Sequence, residues 1–234
     1  MRTTPPVRES TDRLLAAAGK LDAAEGAAET AAVTEPSLLP GWTRGHVLTH
    51  LARNADALVN VLQGRPMYAS AEARDADIES GADRPLAVQL DDIRTSAARL
   101  DRAMAALTGD QWQRTVELRN GVTDLAASIP FRRQIEVELH HVDLGIGYTV
   151  DDLPGGFVDR ELANMARRFS GHPDVPAVEL RAEDGRSWHT GRQEEGAPLV
   201  IVGSPTALAG WLTGRTTGGG LSVSGESLPA LPPL

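Results

Sequence analysis

The stretch from Pro130 to Gly147, P-F-R-R-Q-I-E-V-E-L-H-H-V-D-L-G-I-G, narrows the folds open to this chain more than any other. Pro130 suits the first turn of a helix, where its missing N–H is not needed, and Gly145 and Gly147 suit the end. At about 100° per residue, Glu136, His140 and Asp143 fall on one narrow stripe. Val137 and Leu144 flank the stripe on one side, and Ile135, Leu139 and Ile146 on the other. A helix that is apolar on both flanks of a polar seam must be covered by neighbours, so the seam is read as buried. An ionised carboxylate and an imidazole one turn apart, shut off from bulk water, need a strong common partner. A divalent metal satisfies both, and a plain Glu–His ion pair is the alternative, because E-x-x-x-H is a loose pattern.

The preceding residues supply the neighbours. Residues 10–32 begin with Ser10 or Thr11 as candidate N-cap and carry Leu14, Ala18, Leu21, Ala24 and Ala28 along one face. Thr43 is placed to cap a second helix running to about Gln63, with Gly64 after it and Leu48, Leu51, Ala55, Leu58 and Leu62 as its apolar stripe. Residues 67–83 read as a loop or short helix, Pro85 to Leu107 as a third long helix, and residues 115–128 as irregular. With the Pro130 helix this predicts a four-helix bundle over residues 1–153, an architecture whose interior commonly builds metal sites from facing helices. His50 lies at the margin of the second helix's apolar arc and His46 points farther out. A single histidine at such a margin is more often a hydrogen-bonded boundary residue than a ligand. Glu138 and His141 form a competing pair away from the seam.

After Leu153-Pro154-Gly155-Gly156 the pattern changes. One more helix over 157–170 precedes a hairpin of Val178–Ala182 and Ser187–Thr190, a strand at Leu199–Val202, a helix from Ser204 or Pro205 to Leu212, and a strand at Leu221–Val223. Residues 154–234 are therefore expected to form a small α+β domain, which makes the chain α+β with two domains. Aromatic content of 4% leaves the core to Leu, Val and Ala, in keeping with helix-on-helix packing. The net charge of −9 argues against nucleic acid or an anionic membrane as partner. No run approaches the roughly 18 apolar residues of a membrane span, and the first residues carry no apolar leader, so a cytoplasmic location is expected. There is no cysteine, so any thiol chemistry must use a thiol brought in from outside.

Two segments, P-G-W-T-R-G-H-V-L-T-H-L-A-R-N-A-D-A-L at 40–58 and R-Q-I-E-V-E-L-H-H-V-D-L-G at 133–145, resemble the signature blocks of the mycothiol-dependent maleylpyruvate isomerases, members of the DinB-like metal-binding helical bundles. V-I-V-G-S-P-T-A-L-A-G-W-L-T-G-R followed by L-S-V-S-G resembles that family's small C-terminal domain, which has a sterol-carrier-like layout. The resemblance covers nearly the whole chain. It implies zinc held by His50, Glu136 and His140, with one coordination position left open, and an essential arginine at Arg215 in G-R-T-T-G-G-G. The implied activity is cis–trans isomerisation of maleylpyruvate to fumarylpyruvate, in the breakdown of gentisate-type aromatics. Mycothiol would supply the thiolate that adds to the alkene and leaves again, and zinc would activate that thiol or polarise the substrate ketone. The implied partners are thus a small dicarboxylate substrate and a low-molecular-weight thiol. The same motifs fit a mycothiol S-transferase that releases the adduct, or a non-enzymatic metal- or ligand-binding protein. Asp143 is placed either to orient a ligand or in a purely local role.

Overall fold

The computed structural model describes residues 5–23, 31–192 and 198–232. The chain divides into two compact units, Met1–Gly147 and Tyr148–Leu234.

In the first unit α1 spans Pro5–Ala18, a short α2 Ala31–Thr34, α3 Arg44–Leu62, α4 Ala71–Ala82, α5 Leu86–Ala105, a short α6 Gly109–Gln113 and α7 Ile129–Asp143. The four long helices α1, α3, α5 and α7 make the bundle: α3 packs on α5 and α7, and α1 packs on α7 and α5. Their stripes meet in a core of Leu14, Leu48, Leu51, Leu90, Ile93 and Val137, continued towards the far end by Leu58, Leu100, Met104 and Ile129. Thr43 caps α3 by accepting from the His46 N–H, and Gly64, with φ 75°, follows its C-cap Gln63.

Three sequence expectations differ from this unit. The first helix begins at Pro5, so Ser10 and Thr11 lie inside it. Both hydroxyls bond backwards along the helix, to the carbonyls of Pro6 and Val7 at 2.8 and 2.9 Å, instead of capping it. That helix also stops early: Ala18 ends α1, a 3-10 turn follows over Gly19–Ala23, and the expected stripe residues Ala24 and Ala28 lie outside the described residues. Residues 115–128 are not irregular throughout. Strands β1 Thr115–Glu117 and β2 Thr123–Leu125 pair antiparallel around Asn120-Gly121, whose φ values of 59° and 70° turn the chain.

Residues 67–83 settle into α4, capped by Ser70, and two glycines bring this helix onto α3. A Cβ on Gly45 would stand 1.9 Å from the Ala82 carbonyl oxygen, and one on Gly81 would stand 2.5 Å from Cγ2 of Thr49. Only glycine permits this approach, which sets α4 beside the N-terminal turns of α3.

The second unit starts ahead of the Leu153–Pro154 linker because the 3-10 turn Val150–Asp152 packs against α9 (Pro205–Leu212), with Thr206 bonded to Asp151 at 3.2 Å. Helix α8 covers Gly155–Phe169. Strands β3 Val178–Ala182, β4 Ser187–Thr190, β5 Leu199–Gly203 and β6 Ser222–Val223 form a sheet in the order β4-β3-β5-β6, with β3 and β5 parallel and the other pairs antiparallel. Burial alternates along β3, and α8 and α9 carry Phe157, Leu162, Phe169 and Leu208 into the core on the covered face. This is the small α+β layer that the strand and turn pattern predicts. No described helix is long and apolar enough to cross a membrane.

Candidate metal centre

Helices α3 and α7 bring His50, Glu136 and His140 together, so that one ligand atom of each lies within 4.8 Å of the others. Glu136 Oε2 stands 2.9 Å from His50 Nε2 and 3.4 Å from His140 Nε2. The two imidazoles meet edge to face with ring centroids 4.7 Å apart, and Trp42, just ahead of α3, packs its ring 5.6 Å from that of His50. Two imidazoles and a carboxylate converging on one point are the donor set that suits a borderline-soft divalent cation such as zinc. The side chains do not sit behind a closed wall, as the wheel alone suggests. His50 is 7% exposed and His140 14%, but the Glu136 side chain is 32% exposed, so the seam is not fully closed.

The electrostatics suit cation binding. Burial alone would push the Glu136 carboxyl up, but hydrogen bonds from His140 and His50 overcome it and hold the group well below the usual carboxylate range. Burial pulls His50 down despite the attraction of Glu136, leaving a neutral ring. Burial also disfavours the charged form of His140, but the bonds to Asp143 and Glu136 outweigh it and raise its pKa. Asp143 Oδ2 lies 2.8 Å from His140 Nδ1. This contact holds a proton on Nδ1, so Nε2, which faces Glu136, is the nitrogen that would give a lone pair to a cation once its own proton is lost. The Asp143 side chain is buried and acts on its own helix, the orienting one of its two expected roles.

The other candidate residues have separate partners. His46 closes the α3 capping box, accepting from the Thr43 N–H at 3.2 Å, and its Nε2 meets Glu79 at 3.1 Å. Glu138 is buried and bonded to Ser10 and Arg13 of α1, which ties the competing Glu138–His141 pair to the α1–α7 contact. Arg132 holds Asp124 of β2 at 2.7 Å, and the buried Arg133 donates to the Leu51 carbonyl and to Asn54 at 2.8 and 2.9 Å. Arg215 belongs to the other compact unit, just past α9, where it is half-buried and donates to the Thr213 carbonyl at 2.7 Å. Two residues near the centre were not found from the sequence. Arg74 of α4 brings Nη2 within 3.4 Å of His50 Nδ1, and its guanidinium lies over the Tyr68 ring, 5.8 Å from the centroid. The Ser70 cap was the available signal that α4 exists, but nothing in the sequence says which helix face α4 meets.

A helical bundle with a two-histidine, one-carboxylate centre between facing helices, followed by a small α+β unit, defines a class of two-unit metal-site proteins. Comparison with known proteins narrows the class. Residues 7–145 match the family described as mycothiol maleylpyruvate isomerase N-terminal domain, and residues 152–232 match the C-terminal domain of the same family. The chain therefore belongs to the mycothiol-dependent maleylpyruvate isomerase family. Among solved structures it is similar to the crystal structure of the mycothiol-dependent maleylpyruvate isomerase, with 27% identity, a TM-score of 0.86, and coverage of 98% of this chain and 94% of that one. It is also similar to a histidine-to-alanine mutant of that enzyme, at 26% identity, a TM-score of 0.85 and the same coverage. No curated protein matches the sequence.

Proposed function

We propose that this chain is a zinc- and mycothiol-dependent isomerase that converts maleylpyruvate to fumarylpyruvate. The observation that carries the reading is the convergence of His50, Glu136 and His140 on a seam that is not fully closed, in a chain of this family. Three protein donors and an open position are the arrangement of catalytic rather than structural zinc. Zinc held there would lower the pKa of a bound thiol or polarise the substrate ketone, and mycothiol would supply the sulfur nucleophile that this cysteine-free chain lacks.

The chain's own residues do the rest. Glu136 gives the site its negative charge, His50 is kept neutral by burial, and Asp143 fixes the tautomer of His140 so that both imidazoles offer a lone pair. The Trp42 ring covers one side of His50. Arg215 is the fork proposed to hold a substrate carboxylate, a job that a planar guanidinium performs better than an ammonium. The reaction belongs in ring-cleavage catabolism of gentisate-type aromatics and, since it needs a reduced thiol, in the cytoplasm.

The test is to incubate the zinc-loaded chain with maleylpyruvate with and without mycothiol. Fumarylpyruvate should form only with the thiol, and the thiol should not be consumed. Accumulation of a stable thioether would make the chain an S-transferase, and full turnover in thiol-free buffer would end the mechanism.

A further inference from the structure

A cavity of about 570 Å³ opens in the first unit between the segment that leads into α4 and the β1–β2 hairpin. Its size is that of a small-molecule site. In a chain of net charge −9, the charged residues lining this cavity are Arg65, Arg74, Arg114 and Arg119 against Glu117 alone. Ser70 and Ala71 also line it, so the positive end of α4 faces the same space. The cavity adjoins the metal centre, since Arg74 on its wall reaches His50 and Tyr68 on its wall is held over by Arg74. The Tyr68 hydroxyl is pushed up from its ordinary value first by burial and next by the charge of Glu136, which puts the ring within electrostatic reach of the convergent ligands.

The bonding of Arg74 shows why this residue stands out from the other arginines. Its Nη1 pairs with Asp75, an exposed neighbour in sequence, at 2.7 Å, its Nη2 makes a long contact of 3.4 Å to His50 Nδ1, and its guanidinium also interacts with Tyr68 on the cavity wall. Arg74 is thus the one of these four arginines shown in contact with a residue of the candidate metal centre, which it reaches from the wall of the cavity.

We propose that this cavity is the binding site for a carboxylate of a small dicarboxylate substrate, with Arg74 as the guanidinium that holds it and Arg119 contributing charge at the hairpin side. The proposal rests on the isomerase reading for its choice of substrate and deepens it. A carboxylate suits a guanidinium fork, and Arg74 supplies one within the first unit.

Succinate, a saturated dicarboxylate that cannot accept a thiol, separates binding from turnover. Its dissociation constant is measured by calorimetry on the full chain, zinc-loaded and zinc-free, for wild type, Arg74→Gln and Arg119→Gln, with zinc content determined on each preparation. Wild type should bind succinate more tightly when loaded. Arg74→Gln should retain zinc and weaken succinate by about tenfold to a hundredfold, the value of one charge-assisted hydrogen bond. Arg119→Gln, which does not touch His50, should weaken it less and reduce the salt sensitivity of what remains. In turnover, Arg74→Gln should raise KM for the dicarboxylate and leave KM for the thiol unchanged.

Succinate affinity that is the same in all three proteins, or no succinate binding by wild type at tens of millimolar, overturns the proposal even if maleylpyruvate is isomerised. A raised KM for the thiol with an unchanged KM for the dicarboxylate would hand the cavity to the thiol and also overturns it. Arg74-dependent succinate binding in a protein that does not isomerise maleylpyruvate would uphold the cavity and remove the isomerase reading. Should Arg74→Gln lose zinc, Arg119→Gln alone decides.

Discussion

Asp143 decides what His140 can do. By accepting a hydrogen bond from Nδ1–H at 2.8 Å it commits Nε2 to face the convergence point, and together with Glu136 it raises the pKa of the ring. A cation must displace the proton on Nε2, so zinc affinity should be weak while His140 is protonated, rise with pH, and level off above the raised pKa, on the high side of the ordinary imidazole value of about 6.5. His50, pulled down by burial, is already neutral in this range and does not limit binding. In Asp143→Asn the midpoint should move to lower pH, while zinc affinity above it falls by about 10- to 100-fold as the orienting charge is lost. Competition with a chromophoric chelator across a pH series reads both effects, and an unchanged midpoint would show that Asp143 does not govern the ring. The two histidines of α3 provide a second contrast. His50→Ala should abolish stoichiometric zinc, whereas His46→Ala should keep it and lose about 1 kcal/mol of stability with its cap. Elemental analysis showing the opposite would replace the ligand set.

Helix α4 delivers Arg74 to the candidate metal centre, and its place depends on two residues without side chains. A methyl group on Gly45 would meet the Ala82 carbonyl, which is backbone and cannot rotate aside, so Gly45→Ala should cost about 1–3 kcal/mol. The urea midpoint should fall with an unchanged slope. Zinc should be retained, because the ligands come from α3 and α7. The helix was hard to read from the sequence because it buries so little: only Ile78, Gly81 and Ala82 are inside, a single turn at i, i+3 and i+4 that does not continue towards the start of the helix. Helices α3, α5 and α7 were legible because each keeps such a stripe along its length. The β3–β4 hairpin was legible through Glu183-Asp184-Gly185-Arg186, with Gly185 at φ 89°. Equal attention to Asn120-Gly121 would have revealed β1–β2. Ser10 and Thr11 misled because a hydroxyl that caps a helix and one that bonds back inside it are the same in a sequence. At the site, Glu136, His140 and Asp143 share one helix face and so were visible as a pattern. Arg74 and Tyr68 reach His50 through tertiary packing, which leaves no periodic trace.

At the scale of the whole molecule, the question is whether the second unit only accompanies the bundle or takes part in the reaction, and Arg215 tests it. In its own unit Arg215 donates to the Thr213 carbonyl at the end of α9, a helix-end contact that is worth a few tenths of a kcal/mol. If that is its whole role, Arg215→Ala should lower stability by less than about 0.5 kcal/mol and leave turnover untouched. Binding a substrate carboxylate predicts a different division. Arg215→Ala would keep its zinc and nearly all its stability, yet lose on the order of 100-fold in kcat/KM, since a charged clamp that positions the reacting bond acts mainly on the rate. Arg215→Lys should recover little, because an ammonium retains the charge but cannot offer two parallel N–H donors. Steady-state kinetics on both variants, beside thermal unfolding and a zinc determination, separate the two roles. Near-wild-type kcat/KM in Arg215→Ala would confine this residue to the end of α9 and leave recognition of the dicarboxylate to the arginines of the first unit.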